Sequence, residues 1–276
     1  MSEKLAGRIE YIGGIFKLSL LKILQFSSFV PLPVRYLFSD FAAFFALLIF
    51  HSKRKAVRKN LKMVFGRQPR HSEILKVFSE YGRYWAELPA INRFWAHHKK
   101  IIHGNPPVES CFLGLTFHIG NFEVFGNILN PICKGRFHVV AERLKPQFIA
   151  DFFTRLRQNH YICSIAHDDL RHILKVLSDN KPLGILCDRM VGGRGVEVRL
   201  FGRRIQMPLN IIEYALQKAI PVYISYCVRD KDGLHIYFRK PDPLAGFDGV
   251  VKEVVASLEN ALSSYPYQWH VLTEIG

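Results

Sequence analysis

His118 and Glu123 carry the first hint of chemistry in this chain. They belong to Phe117-His118-Ile119-Gly120-Asn121-Phe122-Glu123, an imidazole and a carboxylate five positions apart. A histidine near neutral pH can take a proton from a hydroxyl. A carboxylate beside it can orient the ring and stabilise the imidazolium that forms. On a regular helix, five residues turn about 140° around the axis, so the two side chains would not share a face. The pair works only if His118 sits in a turn ahead of a helix whose first turns carry Glu123. Gly120-Asn121 is the kind of pair such a turn uses. The same spacing also fits a core histidine near an unrelated surface glutamate.

The elements that would position the pair are readable around it. Ser110 to Phe117 is an apolar run of strand length, and Phe122, Val124, Phe125, Ile128 and Leu129 recur at helical spacing. Strand, turn and helix would place His118 at the carboxyl end of a strand, where open α/β sheets gather their sites. Downstream, strands are expected over 137–141, 161–165, 183–187, 221–228 and 234–238. Helices are expected over 147–157, 168–180, 208–217 and 247–263. This alternation argues for an α/β sheet covered by helices on both faces. Upstream, the pattern from Ser72 to about Trp95 is helical. Its apolar stripe, including Ile74, Phe78, Tyr81 and Trp85, is closed by Pro89 and reads as packing.

The chemistry-bearing segments also resemble a known family. His118 to Glu123 is similar to the His-x4-Asp/Glu box of glycerolipid acyltransferases, most of all to the variant in the bacterial lipid A acyltransferase family. Arg54 to Phe65 resembles that family's basic segment, and Val139 to Pro146 its second box. Asp188-Arg189 with Gly193 to Pro208 resembles the third, and Gln268 to Leu272 the C-terminal aromatic segment. The similarity runs from about Pro31 onward. Two departures stand out: Glu142-Arg143 replaces the usual Arg-Pro pair, and Asp188-Arg189 replaces the usual Asp-Gln pair. Both are closer to the phosphatidylinositol mannoside acyltransferase branch, which leaves the acceptor open.

The resemblance implies a mixed α/β sheet flanked by helices, preceded by an apolar or amphipathic membrane-associating segment. It implies an O-acyltransferase at the cytoplasmic face of the inner membrane. The acyl chain would pass from acyl carrier protein or acyl-coenzyme A to a hydroxyl of a lipid acceptor, with no further cofactor. His118 would be the base and Glu123 its partner. Asn121, Glu142, Arg143, Asp188, Arg189 and Arg194 would contact substrate. Glu142-Arg143 and Asp188-Arg189 each follow an expected strand and so reach the rim that carries His118, where an ion pair between neighbouring elements is the other reading of each. The acceptors to weigh are a lipid A precursor, a phosphatidylinositol mannoside and a lysophospholipid. A non-catalytic peripheral membrane protein on this scaffold is the alternative of another class.

Charge and composition fit that picture. The chain has 276 residues and a formal net charge of +15. From His51 to Arg70 no acidic residue interrupts a run of lysines and arginines, and Phe41 to Phe50 just before it is aromatic and aliphatic. Such a sequence suits an anionic bilayer surface. No helix-turn-helix, zinc finger or ribonucleoprotein signature accompanies the charge, so nucleic acid is not an expected partner. The run Ile15 to Val30 contains Lys17 and Lys22, and the next is broken by Pro31, Pro33, Arg35 and Asp40. Neither offers about 20 uninterrupted apolar residues, so one or two helices lying in or re-entering the interface are expected, with one spanning helix as the alternative if Lys17 and Lys22 snorkel. The five cysteines are scattered and the histidines lack ligand spacing, so no disulfide framework or metal is expected. His97 and His98 read as surface groups and His270 as packing. No Gly-x-Ser-x-Gly elbow points to serine catalysis. The expected division is 1–50 membrane-associating helices, 51–104 basic and amphipathic helices, and 105–276 catalytic domain.

Overall fold

The computed structural model describes residues 27–133, 137–145, 147–158 and 162–275. Most of the apolar run Ile15 to Val30, and His160, lie outside the described residues.

Four of the described α-helices lead into the sheet. The first, α1 (Leu32–Ile49), starts at a proline-flanked N-terminus, where the missing N–H costs nothing. Helix α2 (His51–Phe65) stops at Gly66, which adopts the left-handed conformation with φ 66°. Helix α3 (His71–Glu87) is opened by Glu73, whose carboxylate accepts the Arg70 N–H at 2.6 Å. A short helix, α4 (Ile91–His97), follows Pro89.

The sheet has seven strands: β1 (Lys100–His103), β2 (Leu113–Gly120), β3 (Phe137–Ala141), β4 (Ile162–Ala166), β5 (Leu183–Leu186), β8 (Val222–Asp230) and β9 (Gly233–Arg239). Their spatial order is β1-β9-β8-β2-β5-β3-β4. Only the β8–β9 pair is antiparallel, as its tight turn requires. The remaining two strands, β6 (Val196–Leu200) and β7 (Arg203–Met207), form a separate antiparallel hairpin. Its turn residues Phe201 and Gly202 both have positive φ, the backbone a tight hairpin needs.

Helices α5 (Phe125–Cys133), α6 (Gln147–Gln158), α7 (Leu170–Ser178), α8 (Ile211–Gln217) and α9 (Gly246–Ser264) complete the alternation. One face of the sheet packs Leu115 and Phe117 against Val176, Ile212 and Leu258 from α7, α8 and α9. The other packs Phe112 and Phe137 against Leu88, Val124 and Phe153. Central strand β2 turns Leu113, Leu115, Phe117 and Ile119 to the first of these faces, while Gly114, Thr116 and His118 alternate onto the other. The expected alternating strands and helices are present. Strand β1 was not foreseen, and although it precedes residue 105 it forms an edge of the same sheet. Its four residues, Lys-Ile-Ile-His, are too short and mixed to show a strand pattern.

Candidate active site

His118 ends up at the carboxyl end of β2, beside the central strands. Immediately after it, Gly120 adopts φ 60°, and a Cβ there would lie 2.0 Å from the Cys227 carbonyl oxygen. Only glycine fits this turn. A 3-10 turn (Phe122–Val124) then leads into α5. Strand, turn and helix follow in the expected order, but His118 lies within β2, two residues before Gly120, and Glu123 lies in the 3-10 turn ahead of α5.

The carboxylate on His118 is not the expected one. His118 Nδ1 lies 2.7 Å from Asp188 Oδ1, and the His118 backbone N–H donates to Asp188 Oδ2 at 3.0 Å. The Trp269 indole N–H donates to the same Oδ2 at 2.8 Å. Asp188 is fully buried. Burial alone would raise its carboxyl, but the His118 charge and the donors from His118 and Trp269 outweigh it, so it stays below the ordinary carboxylate range. With Nδ1–H given to Asp188, His118 keeps Nε2 as its basic nitrogen.

Glu123 has a different partner. Its two oxygens take Arg157 Nη2 at 2.6 Å and Arg157 Nε at 3.2 Å, a bidentate pair with both side chains largely buried. The sequence expectation that Glu123 orients His118 is therefore corrected at this contact. A buried glutamate needs a cation, and Arg157 on α6 supplies it. Asn121 is corrected as well. It was expected at the substrate, but it is buried and its amide donates to Glu87 at 2.7 Å.

The remaining expected contacts divide between the rim and the surface. Glu142 accepts from Arg189 at 2.6 Å, and both line a groove of about 820 Å³ together with His118, Arg194 and Arg157. Arg143 is absent from that lining. It forms an exposed ion pair with Asp168 at 2.9 Å. It follows β3 as expected, but the rim's inward position at this turn is taken by Glu142. Arg194 is carried by a loop in which Gly192 and Gly193 both have φ 73°.

An apolar cavity of about 60 Å³ shares Phe122, Glu123, Val140 and Arg157 with the groove. Its deeper walls include Phe112, Leu129, Phe137, Tyr223 and Gly184. Gly184 gives the Phe137 ring its place, since a Cβ there would come within 2.7 Å of it.

Behind the rim lies a charged network that sequence reasoning missed. Glu87, fully buried, pairs with Arg229, accepts the Tyr36 hydroxyl at 2.6 Å and takes the Asn121 amide. Arg229 also reaches Glu80. Burial raises the Glu87 carboxyl despite these partners. His270 packs between Tyr81 and Tyr84, with centroids 5.6 and 5.2 Å away. Burial and the Arg229 charge push it down to about 3, so it is neutral at physiological pH. The only sequence signal for this network was a Glu at the end of an apolar stripe, whose partner lies 142 residues away. Among the described residues, no group of three or more His, Cys, Asp or Glu is placed to hold a metal.

Comparison with known proteins identifies the scaffold. Residues 11–273 match the family model of the bacterial lipid A biosynthesis acyltransferases. The chain is similar to the phosphatidylinositol mannoside acyltransferase of Mycobacterium tuberculosis, at 26% identity over 265 residues, covering 87% of this chain and 81% of that one. It is also similar to that of Mycolicibacterium smegmatis, at 24% identity over 243 residues, covering 78% and 77%. Among solved structures it matches the 1-acyl-sn-glycerophosphate acyltransferase of Thermotoga maritima with a TM-score of 0.41 and 14% identity, covering 87% of this chain and 99% of that one. With its family model matched across nearly all of its length, the chain belongs to the bacterial lipid A biosynthesis acyltransferase family.

Proposed function

We propose that this protein transfers a fatty acyl chain from a thioester to a hydroxyl of a glycolipid or phospholipid, with His118 as general base. The observation that carries this reading is the position of His118. Its Nδ1 is fixed on a buried carboxylate, and it lines a groove that shares a wall with an apolar cavity.

His118 Nε2 takes the acceptor hydroxyl proton as that oxygen attacks the thioester carbonyl carbon. Asp188 holds the ring in the required tautomer and balances the imidazolium. Arg157, on the shared wall, is a cation able to stabilise the tetrahedral oxyanion. Collapse breaks the carbon–sulfur bond, and His118 Nε2 passes its proton to the departing thiolate, which leaves as the thiol and returns His118 to its neutral form. Two substrates held side by side need no covalent acyl-enzyme. The acyl chain would enter the apolar cavity. At about 60 Å³ the cavity is narrow, so its aromatic walls must turn to admit a long chain. Glu142, Arg189 and Arg194 would face the acceptor head group or the donor's phosphates. The basic surface suits an acidic carrier protein or the phosphates of coenzyme A.

Membrane association is part of the same proposal. Among the described residues, α1 is long and apolar enough to cross a membrane by length and composition. Its inner face argues for lying in the interface instead. Arg35 donates to the Ala86 carbonyl, Ser39 to the Gly82 carbonyl at 3.2 Å, and Asp40 pairs with Ser79 and with Arg83 at 2.7 Å. A spanning α1 would have to leave these partners and carry the charges into hydrocarbon. Its outer face exposes Leu37, Phe38, Phe41, Phe45 and Leu48, next to the lysines and arginines of α2. Apolar residues and cations presented together fit an anionic leaflet.

The test is an incubation of the detergent-solubilised protein with labelled acyl carrier protein or acyl-coenzyme A and a panel of acceptor lipids, beside His118→Ala. Transfer by the wild type and loss of at least about 10²-fold in the variant are expected. Equal turnover by the folded variant would remove His118 from the mechanism.

A further inference from the structure

We infer that Trp269 is a positioning residue of the proposed transfer, its indole N–H locking the Asp188 carboxylate in the orientation that holds His118. The inference rests on the acyl-transfer reading above.

The C-terminal tail lies antiparallel beside the end of β2, with Ile119 and Trp269 forming a bridge. Three consecutive tail residues are fixed to the site. Gln268 exchanges two hydrogen bonds with the Arg229 backbone, at 2.9 and 2.6 Å. Trp269 reaches Asp188 at 2.8 Å. The His270 N–H donates to the His118 carbonyl at 2.7 Å. The tail is tied down in turn by Asn60 of α2, whose amide donates to the Val271 and Thr273 carbonyls at 3.1 and 2.8 Å.

Asp188 follows β5 and is gripped from two directions. β2 offers it the His118 ring and N–H, and the tail offers the indole. Without the indole, Oδ2 keeps only the β2 donor, and the carboxylate can tilt away from Nδ1. Trp269 itself is buried and absent from the groove lining, so it acts through Asp188 and not on substrate. The other groups facing Asp188 are the Cys187 thiol, neutral because burial raises it, and the neutral His270 ring. Among the described residues, the indole therefore provides the one side-chain donor to Asp188 from outside β2.

The experiment compares the wild-type chain with Trp269→Phe and with 3-benzothienylalanine at position 269, an isostere that replaces the indole N–H by sulfur. Loss of a hydrogen bond to a charged group predicts a fall in kcat of about tenfold with KM nearly unchanged. The acid limb of the kcat profile should move to higher pH, because the dyad has lost a donor that keeps Asp188 ionised. By ¹⁵N NMR the His118 imidazole titration should move the same way. Among the three tryptophans, the indole signal lost in Trp269→Phe should be the one displaced by Asp188→Asn. The isostere keeps the packing, so it decides the matter if Trp269→Phe folds poorly. A wild-type kcat, pH profile and His118 titration in the isosteric variant would overturn the inference. If no acyl transfer is found with any substrate, a displaced titration still upholds the contact, and an unmoved one overturns it.

Discussion

Two buried carboxylates flank the rim of the sheet, and they have opposite roles. Glu123, five residues from His118, is neutralised by Arg157. Asp188, 70 residues from His118, holds the imidazole. Strand register explains the difference. Strands β2 and β5 are parallel neighbours with Thr116 opposite Leu186, so His118 and Asp188, each two residues further on, meet at the strand ends. Glu123 lies beyond the Gly120 turn, where the chain has already changed direction. Nearness along the chain is a weaker guide to pairing than nearness across a sheet.

The largest effect expected from breaking this comparison is at Asp188. Asp188→Asn leaves the volume but frees the wrong tautomer of His118, and kcat should drop by about 10²–10⁴-fold while the protein stays folded. Single-turnover kinetics with a labelled thioester would measure it. Glu123→Gln should act mainly on stability. It leaves Arg157 as an uncompensated buried charge, a cost of about 3 kcal/mol in urea unfolding. The pH profile of the remaining activity should be unchanged.

A third expectation concerns His270. Its folded-state value, about 3, lies below the ordinary 6.5, so the unfolded chain binds the extra proton first. The stability that its neutral burial confers is complete above about pH 6.5 and declines as the pH falls toward 3. At pH 5 the loss is on the order of 2 kcal/mol. His270→Phe should flatten the fall in Tm between pH 7 and pH 5. The smallest effect belongs to the rim's exposed pair. Arg143→Ala removes a solvent-facing contact with Asp168 and should leave both the urea midpoint and kcat unaltered within error.

Much of the fold was legible in the sequence because its central strands are apolar runs bounded by turn residues, and its helices show regular stripes. The turn at Gly120 and the placement of His118 were legible for the same local reason. Asp188 was recognised as a rim residue after a strand. Its partnership with His118 was not, because that depends on which strands are neighbours, and β2 and β5 are separated in sequence by two strands and three helices. Arg157 and Arg229 went unmarked, since nothing local distinguishes an arginine whose carboxylate comes from another element. Asn121 sat in a segment of evident importance, and its burial against Glu87 follows from α3 packing behind the turn. Trp269 stood in a noted aromatic segment, but only the folded tail brings its N–H to Asp188.

The account turns on which carboxylate serves His118. The direct test is to measure kcat for Asp188→Asn and Glu123→Gln side by side, on the same thioester and acceptor, with folding checked by circular dichroism. A loss of at least about 10²-fold in Asp188→Asn, together with a much smaller loss and an unshifted pH profile in Glu123→Gln, is the predicted result. Near-normal turnover in Asp188→Asn, with the larger loss in Glu123→Gln, would contradict the account.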